Sequence, residues 1–267
     1  MDTPISARIV VLDLFATGEK ASYSTAQLVR AGAAFAIGAA GMRTAITRLN
    51  AEGHIRQIER GIYAGGHASE PLQRRLRDWR NVLSRRVEWN GAWLLAVVGA
   101  ADRADRNLWR RTLRAFDFNG FAEAEPGLWV RPDNLVGGAQ AARERLSDFG
   151  YGDRLFVASA TGLDRARDEQ YRGLWDAKAT TLPLVRAAQD LAQHGKQIAA
   201  ETPAQTAAAT LSYGRAAIRA IVHDPLLPDV LCSPAPLAQL IAEMDAYDHI
   251  GRQAWQAYLG FDDRLPS

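Results

Sequence analysis

The sequence predicts an α+β chain in successive parts, and three features of its hydrophobic pattern support this class. Residues 1–68 contain three segments with helical spacing of apolar residues, followed by two short β-branched pieces around a glycine. Residues 91–163 alternate continuous apolar runs with amphipathic helical segments. Residues 164–267 are alanine-rich and helical, and residues 69–90 connect the first part to the second.

The composition is that of an ordinary soluble globular protein. Of the 267 residues, 48% are hydrophobic and 23% are charged, which excludes a disordered chain. No apolar run approaches the roughly 18 residues of a membrane helix, and the N-terminus lacks a secretory signal pattern, so we expect a cytoplasmic protein without a membrane partner. The single cysteine, Cys232, excludes an intramolecular disulfide and agrees with a reducing compartment.

Positive charge is concentrated towards the N-terminus. The formal net charge is only +2. Residues 1–90 nevertheless hold thirteen Lys and Arg against eight Asp and Glu, whereas residues 181–267 hold six against nine. Because a basic surface attracts phosphate regardless of base sequence, this asymmetry favours a nucleic-acid-binding N-terminal part.

The first two predicted helices each begin at a hydroxyl residue. The segment SARIVVLDLFA starts with Ser6 as the N-cap and packs Ile9, Leu12 and Phe15 on one side. The segment STAQLVRAGAAF starts with Ser24, and the small residues of AIGAAG provide a tight turn before the next helix.

The third predicted helix, in MRTAITRLNAEG, separates an apolar face from a polar one. Helical spacing places four apolar residues on the buried face: Met42, Ala45, Ile46 and Leu49. The opposite face carries two arginines and two threonines: Arg43, Thr44, Thr47 and Arg48. The next segment, HIRQIERGIYA, contains two strand-like pieces around Glu59-Arg60-Gly61. Three helices and a hairpin predict a winged helix-turn-helix over residues 1–68.

Residues 69–90 predict an amphipathic linker helix. Apolar residues recur at intervals of three and four from Leu72 to Val87, and arginines occupy the outer face. A solvated linker is one interpretation of this face. Contacts with backbone phosphates or a dimer seam are the other.

The central part, residues 91–163, has the element order β-α-β-β-α-β. AWLLAVV predicts a strand, DRNLWRRTLRAF a helix, FAEAEPGLWVRP two strands across Pro126-Gly127, AARERLSDFG a helix and RLFVASATG a last strand. This order is typical of a ferredoxin-like domain, in which two helices cover one face of the sheet. We expect the other face to be open and to serve as a homodimer surface.

The C-terminal part, residues 164–267, predicts an all-α domain. Its candidate helices are YRGLWDAKATTLPLVRAAQDLAQHG, TAAATLSYGRAAIRAIV and PLAQLIAEMDAYDHIGRQAWQAYL. The prolines of HDPLLPDVLCSPAP end helices on both sides of the connection between the second and the third.

Motifs of the common enzyme classes are absent from the sequence. There is no GxSxG elbow, Walker A loop, GxGxxG or HExxH pair, and the five histidines lack metal-ligand spacing. We therefore assign no catalytic residue, no metal and no cofactor. Asp102 and Asp105 follow the first central strand, where an acidic pair could hold a divalent ion for phosphodiester hydrolysis. They alternate with arginines, which favours a solvated loop with local ion pairs.

Segments from all three parts of the chain are similar to segments of one known family. LVRAGAAFAIGAAGMRTAITRLNAEGHIRQIERGIYAGG, WNGAWLLAVV, PGLWVRPDNL and IVHDPLLPDVL occur in this order and extend from the N-terminal part to Leu231. They resemble the PaaX-like transcriptional regulators, the phenylacetate-catabolism repressor family. The sequence departs from that family in a shorter wing and in SPAPLAQL, which stands where a Trp-Pro-Gly turn is usual.

The resemblance implies a homodimeric repressor of an aromatic-compound catabolic operon. Such a repressor binds double-stranded DNA at an inverted-repeat operator and is released by an aryl-coenzyme A thioester such as phenylacetyl-CoA. The resemblance places four residues on the recognition helix and two in the wing: Arg43, Thr44, Thr47 and Arg48, with Arg60 and Tyr63. Trp129 and Arg131 are candidates for contacting the effector, because a tryptophan face and a guanidinium suit an aromatic acyl group and a phosphate.

The expected function is therefore DNA binding by a transcriptional regulator and not catalysis. Two alternatives stay open. A metal-dependent nuclease using Asp102 and Asp105 would cleave DNA in the presence of a divalent ion. A protein-interaction adaptor would use the winged domain for a protein partner and would show no salt-dependent DNA binding.

Overall fold

The computed structural model describes residues 5–17, 22–66, 76–99, 104–148 and 155–260, and confirms the predicted α+β class. The helices are α1 Ala7–Thr17, α2 Thr25–Ala33, α3 Ala39–Ala51, α4 Arg106–Phe118, α5 Gly138–Ser147, α6 Arg165–Arg172, α7 Ala177–Gly195, α8 Pro203–His223 and α9 Ala235–Leu259. The strands are β1 Ser22–Ser24, β2 Ile55–Glu59, β3 Ile62–Gly65, β4 Trp93–Val97, β5 Ala122–Glu125, β6 Leu128–Pro132 and β7 Phe156–Ala160. None of the helices in these ranges combines the length and the apolar character needed to cross a membrane.

The chain divides into two compact units, each assembled from separate stretches of sequence. The first unit comprises Met1–Trp79, Ala187–Arg219 and Ala242–Ser267. The second comprises Arg80–Arg186 and Ala220–Ile241. The sequence predicted domains that follow one another along the chain, with boundaries at residues 68, 90 and 163. These boundaries stay predictions, because a division into units that join distant segments does not test them.

In the first unit, α1 buries a broader face than the sequence predicts. Val10, Val11 and Leu14 are buried, whereas Ile9 and Leu12 are only half-buried. The helix contacts α2, α3 and β3, so it has neighbours on adjoining sides. Because α1 has neighbours on adjoining sides, the consecutive Val10 and Val11 are both buried. A prediction that assumes one apolar stripe along the helix buries only one of them.

α2 begins at a reciprocal cap and crosses α3 at close range. The Ser24 hydroxyl accepts from the Gln27 backbone N–H at 3.2 Å, and Gln27 Oε1 accepts from the Ser24 N–H at 2.9 Å, which confirms the predicted hydroxyl cap. A Cβ on Gly32 would lie 2.3 Å from Met42 Cγ, so only glycine permits this approach of the two helices.

A three-stranded antiparallel sheet of order β1-β3-β2 completes this part of the first unit. The turn between β2 and β3 is Arg60-Gly61, with Gly61 at a φ of 76°, and Ile58 forms a bulge just before it. The Gly61 carbonyl accepts from the backbone N–H of Thr25 at 2.8 Å and from its hydroxyl at 3.1 Å. The hairpin turn is therefore attached to the first residue of α2. β1 is an element that the sequence did not predict.

The second unit contains an antiparallel sheet of order β5-β6-β4-β7, and the elements β4, α4, β5, β6, α5 and β7 follow the predicted order. α4 and α5 pack on one face of the sheet, where Phe116 and Leu146 belong to one buried cluster with Leu94 and Ala96. The strands and helices of this part therefore lie where the alternating pattern of the sequence predicted them.

The opposite face of this sheet is open only in part. At one end of the β4–β7 pair, Val97 and Phe156 lie side by side with exposed fractions of 45% and 63%. The use of this face as a homodimer surface stays a prediction.

The other end of this face is covered. Trp93 and Val130 are buried there against Tyr171 of α6, and the Trp93 and Trp175 rings stack with centroids 6.1 Å apart. Trp93 Nε1 also donates to Asp168 at 2.9 Å. The sequence did not predict α6 as a separate helix, and it is this helix that brings Tyr171 to the sheet.

The linker helix predicted over residues 69–90 differs in its described part. Residues 67–75 lie outside the described ranges. A 3₁₀ helix covers Trp79–Arg85, after which Arg86 forms a β-bridge with Leu135. The Val87 N–H donates to the Asn134 carbonyl at 2.9 Å, so residues 86 and 87 are extended because they pair with the segment that follows β6.

The first of the three predicted C-terminal helices is interrupted. The single helix expected over residues 171–195 ends at Arg172 and starts again at Ala177 as α7. Asp176 accepts from the N–H groups of Lys178 and Ala179, at 2.8 and 3.2 Å, and so caps the new helix. The other two predicted helices correspond to α8 and α9.

Candidate nucleic-acid interface

α3 carries the residues that the sequence predicted for base recognition. It begins at Ala39, three residues earlier than the apolar pattern predicted, so Arg43 lies in its second turn. Met42, Ile46 and Leu49 are buried in the core of the first unit, with exposed fractions of 0%, 2% and 0%. The four predicted residues on the other face are all exposed: Arg43, Thr44, Thr47 and Arg48.

The threonine hydroxyls of this face are engaged within the helix. Thr44 Oγ1 donates to the Ala40 carbonyl at 3.0 Å, and Thr47 Oγ1 donates to the Arg43 carbonyl at 3.0 Å. A hydroxyl has one proton to donate, so donation outward to a phosphate requires the loss of these internal bonds. In this geometry the threonines offer a ligand mainly their methyl groups and their hydroxyl lone pairs.

The basic side chains of the α3 surface have few acidic neighbours. The guanidinium groups of Arg43 and Arg48 form no hydrogen bond or ion pair with a described residue. Glu52, at the end of α3, accepts a hydrogen bond from Arg8, and this bond holds the pKa of the Glu52 carboxyl below its ordinary value. The neighbouring Arg48 lowers that pKa further, so the carboxylate close to this surface is partly neutralised by cations.

The β2–β3 hairpin adds a second exposed basic segment to the first unit. Arg60 is exposed at the turn, as predicted. Arg56, which the sequence did not single out, is also exposed on β2. The sequence signal for it was its position next to Ile55 in the strand-like IRQIE, because neighbouring strand residues point to opposite faces. The backbone N–H of Gln57 donates to Asn50 Oδ1 at 3.0 Å, which holds this strand against the end of α3.

Tyr63 occupies a different place from the other predicted wing residue. It is half-buried and packs against the core of the first unit, opposite Tyr23 of β1 and Gln57 of β2. Its ring therefore supports the sheet, and Arg60 is the part of the predicted wing pair that lies fully at the surface.

Trp129 and Arg131, the predicted effector contacts, lie on the helix-covered face of the second unit's sheet. The Trp129 ring stacks on Phe116 with centroids 4.6 Å apart, and its Nε1 is buried without a hydrogen-bond partner among the described residues. Arg131 is 2% exposed, and burial lowers the pKa of its guanidinium to about 9.

The Arg131 guanidinium is occupied by the protein itself. It donates to the carbonyls of Asn119, Pro132 and Pro225 and to Asn134 Oδ1. Carbonyl oxygens thus replace water around a buried cation, as burial of a charge requires. A ligand phosphate would have to displace these bonds, so the geometry gives Arg131 a structural role.

One member of the acidic pair weighed for metal-dependent cleavage, Asp105, lies within the described ranges. Asp102 lies outside them. Asp105 caps α4 by accepting from the backbone N–H groups of Asn107 and Leu108, at 2.9 and 3.1 Å. These bonds lower the pKa of Asp105, first through Leu108 and then through Asn107. Across the described residues, no group of three or more His, Cys, Asp or Glu side chains is arranged to hold a metal ion.

Comparison with known proteins gives a likeness to a solved structure. No family model matches the chain, and no curated protein matches it. Among solved structures, the chain is similar to the uncharacterised protein Rv0674 from Mycobacterium tuberculosis, at 25% sequence identity and a TM-score of 0.61. The likeness covers 96% of this chain and 97% of the other. It concerns the arrangement of the whole chain and leaves the function to be argued from the residues.

Proposed function

We propose that this chain is a sequence-specific DNA-binding regulator of transcription, in which α1, α2, α3 and the β2–β3 hairpin act as a winged helix-turn-helix. The observation that carries the proposal is the two-sided character of α3. Three apolar residues fix the helix to the core, while Arg43, Thr44, Thr47 and Arg48 are exposed on its other side. A recognition helix needs both properties, because the fold must hold it while its outer face enters the major groove.

Within this proposal the exposed arginines have different tasks. Arg43, in the N-terminal half of α3, would donate to both acceptors of a guanine edge. Arg48, at the end of the helix, and Arg56 and Arg60, in the hairpin, are suited to phosphates, which fix position without reading sequence. The hairpin is attached to α2 through Gly61 and Thr25, so both basic segments are held by one element.

We propose a homodimer that reads an inverted repeat, since one head would provide too little discrimination to find an operator in a genome. Half-sites would then be about 34 Å apart or a multiple of that distance. The strand order β5-β6-β4-β7, combined with the order of helices and strands, supports a ferredoxin-like arrangement in the second unit. The exposed Val97 and Phe156, on the sheet face opposite α4 and α5, are the candidate surface for pairing two copies.

The test of the proposed function compares Arg43→Ala with Arg60→Ala. The DNA is a duplex selected by the wild-type protein from a random-sequence pool, together with unselected duplexes of equal length. We expect Arg43→Ala to weaken binding to the selected duplex about tenfold or more and to leave unselected DNA almost unchanged. We expect Arg60→Ala to weaken both and to reduce the slope of affinity against salt by about one.

Arg114→Ala is the matched control, because Arg114 is exposed on α4 of the second unit. It should change neither affinity. Equal losses on both DNAs for Arg43→Ala would remove that residue from base readout. If the wild-type protein shows no salt-dependent binding to any duplex, the regulator proposal is wrong and the adaptor alternative is favoured.

We also propose a small-molecule effector of the aryl-coenzyme A class, which rests on the family resemblance. An effector can release DNA only if it binds the state that is off the operator more tightly than the state on it. Titration of aryl-CoA thioesters, including phenylacetyl-CoA, into the complex with the selected duplex tests this. Release by the thioester but not by free coenzyme A supports the class, and no release by any thioester excludes it.

A further inference from the structure

The end of the last helix contacts the helix that precedes the proposed recognition helix. Tyr258, near the end of α9, donates its hydroxyl proton to the Arg30 carbonyl at 2.9 Å. The Arg30 guanidinium lies over the Tyr258 ring, 5.2 Å from its centroid. Arg30 belongs to the last turn of α2, so Tyr258 binds one of the carbonyls that a helix leaves unpaired at its C-terminal end.

The last turn of α2 is also where α2 meets α3. Gly32 lies two residues after Arg30, and a Cβ there would be 2.3 Å from Met42 Cγ and 2.5 Å from its sulfur. Met42 is fully buried and directly precedes Arg43. Because buried side chains pack at close to crystalline density, a displacement of this turn has to be taken up by Met42 and the residues beside it.

The contact of Tyr258 is one of several between the C-terminal helices and the N-terminal helices of the first unit. Leu211 of α8 and Leu259 of α9 are buried in the core that contains Met42 and Ile46. Arg215 of α8 donates to both carboxylate oxygens of Asp13 on α1, at 2.6 Å each. These contacts fix α8 and α9 against the N-terminal helices. The end of α9 is therefore held close enough to α2 for the hydrogen bond of Tyr258 to form.

α8 and α9 are themselves packed closely within the first unit. A Cβ on Gly251 of α9 would be 3.3 Å from Thr210 Cβ on α8, and a Cβ on Gly214 of α8 would be 3.2 Å from Met244 Cε on α9. Small residues at both contacts let the two helices approach each other. They therefore meet α1 and α2 as a pair.

From these contacts we infer that Tyr258 is a positioning residue for DNA recognition: through Arg30 and Gly32 it sets the position of α3, and so of Arg43, from the far end of the chain. This inference rests on the proposed function, and it adds to the recognition apparatus a residue that touches no DNA. Residues 242–259 then belong with the DNA-binding part in function as well as in packing.

The experiment uses Tyr258→Phe, which keeps the ring and removes the donor, in the full-length protein. The affinity for the selected duplex should fall about threefold, the low end of what one hydrogen bond contributes, because this bond lies at an exposed position. The affinity for unselected duplexes should stay almost unchanged. Hydrogen exchange of the backbone amides from Phe35 to Met42 should become faster, whereas exchange in β4 and β6 of the second unit should not change.

Two further variants separate positioning from general loss of stability. Tyr213→Phe is the control, because Tyr213 lies on α8 beside His194 and has 37% of its surface exposed. It should leave both the affinity ratio and the exchange pattern unchanged. Arg30→Gln removes the cation over the Tyr258 ring and keeps the carbonyl acceptor. Combined with Tyr258→Phe, it should cost less than the sum of the single effects, because both act through one contact.

The outcomes discriminate between the two proposals. If the wild-type protein binds no DNA, the proposed function fails, while the exchange measurement still decides whether Tyr258 controls the turn between α2 and α3. An unchanged affinity ratio together with unchanged exchange from Phe35 to Met42 overturns the inference. So does an equal loss on selected and unselected DNA with faster exchange spread over both units, since that pattern reports a general loss of stability.

Discussion

Asp13 is a buried carboxyl group, and its burial disfavours the ionised form. It has 9% of its surface exposed and is paired with Arg215, whose side chain is 39% exposed. Burial raises the pKa of Asp13, and Arg215 lowers it by less, so the pKa in the folded protein stays above the ordinary 3.8. The ion pair limits the cost of burying the carboxylate without fully removing it.

The expected pH dependence follows from this direction. The folded protein holds the Asp13 proton more tightly than the unfolded chain, so the contribution of Asp13 to stability is greatest below pH 3.8 and is lost as pH rises through its raised pKa. The Asp13→Asn variant cannot lose that contribution. Its free energy of unfolding, relative to the wild type, should therefore rise over this window. Urea unfolding at a series of pH values measures it, and a difference independent of pH would contradict the raised pKa.

At the scale of an element, the turn between α2 and α3 contains a strained alanine. Ala36 has a φ of 55°, in the left-handed region that disfavours residues with a Cβ. Ala34, two residues earlier, is in the right-handed helical region with a φ of −61°. The two positions have the same side chain in one turn and differ in the sign of φ.

Glycine should therefore have opposite effects at these two positions. Ala36→Gly relieves the left-handed strain and should raise the free energy of unfolding by up to about 1 kcal/mol, less the entropy that glycine gains in the unfolded chain. Ala34→Gly relieves nothing and should lower it by about 0.5 kcal/mol or more. Chemical denaturation of the pair measures both. Destabilisation of equal size in the two variants would show that Ala36 is not strained.

Elements with a clear periodicity could be predicted from the sequence, and elements that depend on distant partners could not. The two faces of α3 follow from helical spacing alone, and the exposed face matches the prediction residue by residue. β1 has three residues and exists because it pairs with β3, which no local pattern reveals. The interruption before α7 was missed because Gly173 and Asp176 lie in an otherwise helical pattern, where only the capping bonds show that a new helix starts.

The candidate site was predictable to a similar extent. Arg43 and Arg60 could be placed at the surface, since their exposure depends on local alternation. Arg131 could not be placed correctly, because its carbonyl partners come from three separate stretches that the fold brings together. Tyr258 carried no signal in the sequence, because its contact with Arg30 depends on where α9 ends.

At the scale of the whole molecule, the N-terminal helices do not contain all of their own core. Leu211 and Leu259 complete it from the C-terminal part of the chain, and Arg215 pairs with Asp13 of α1. This arrangement is not visible in a sequence divided by composition, since both leucines fit an ordinary amphipathic helix. The two compact units therefore each combine distant stretches of the chain, whereas the sequence predicted three parts that follow one another.

A fragment of residues 1–79 should consequently unfold more easily than the same helices in the full chain. It would expose apolar surface that Leu211 and Leu259 cover, and it would leave the Asp13 carboxylate without Arg215. We expect a broad unfolding transition in urea and weak protection of the α1 and α3 amides from hydrogen exchange. A cooperative transition with protection equal to that of the full chain would show that the fragment folds independently.

The internal bonds of Thr44 and Thr47 bear on the chemistry that α3 can offer a base pair. With each hydroxyl proton committed to a carbonyl one turn back, the face carries methyl groups between its arginines, and methyl groups favour the C5-methyl of thymine. Valine at either position should then keep affinity within about twofold, whereas uracil in place of thymine at the contacted step should weaken it. Such a protein would distinguish thymine from uracil by the C5-methyl group alone. Methylation of cytosine at C5 adds the same group, so it would alter which sites in the genome the protein occupies.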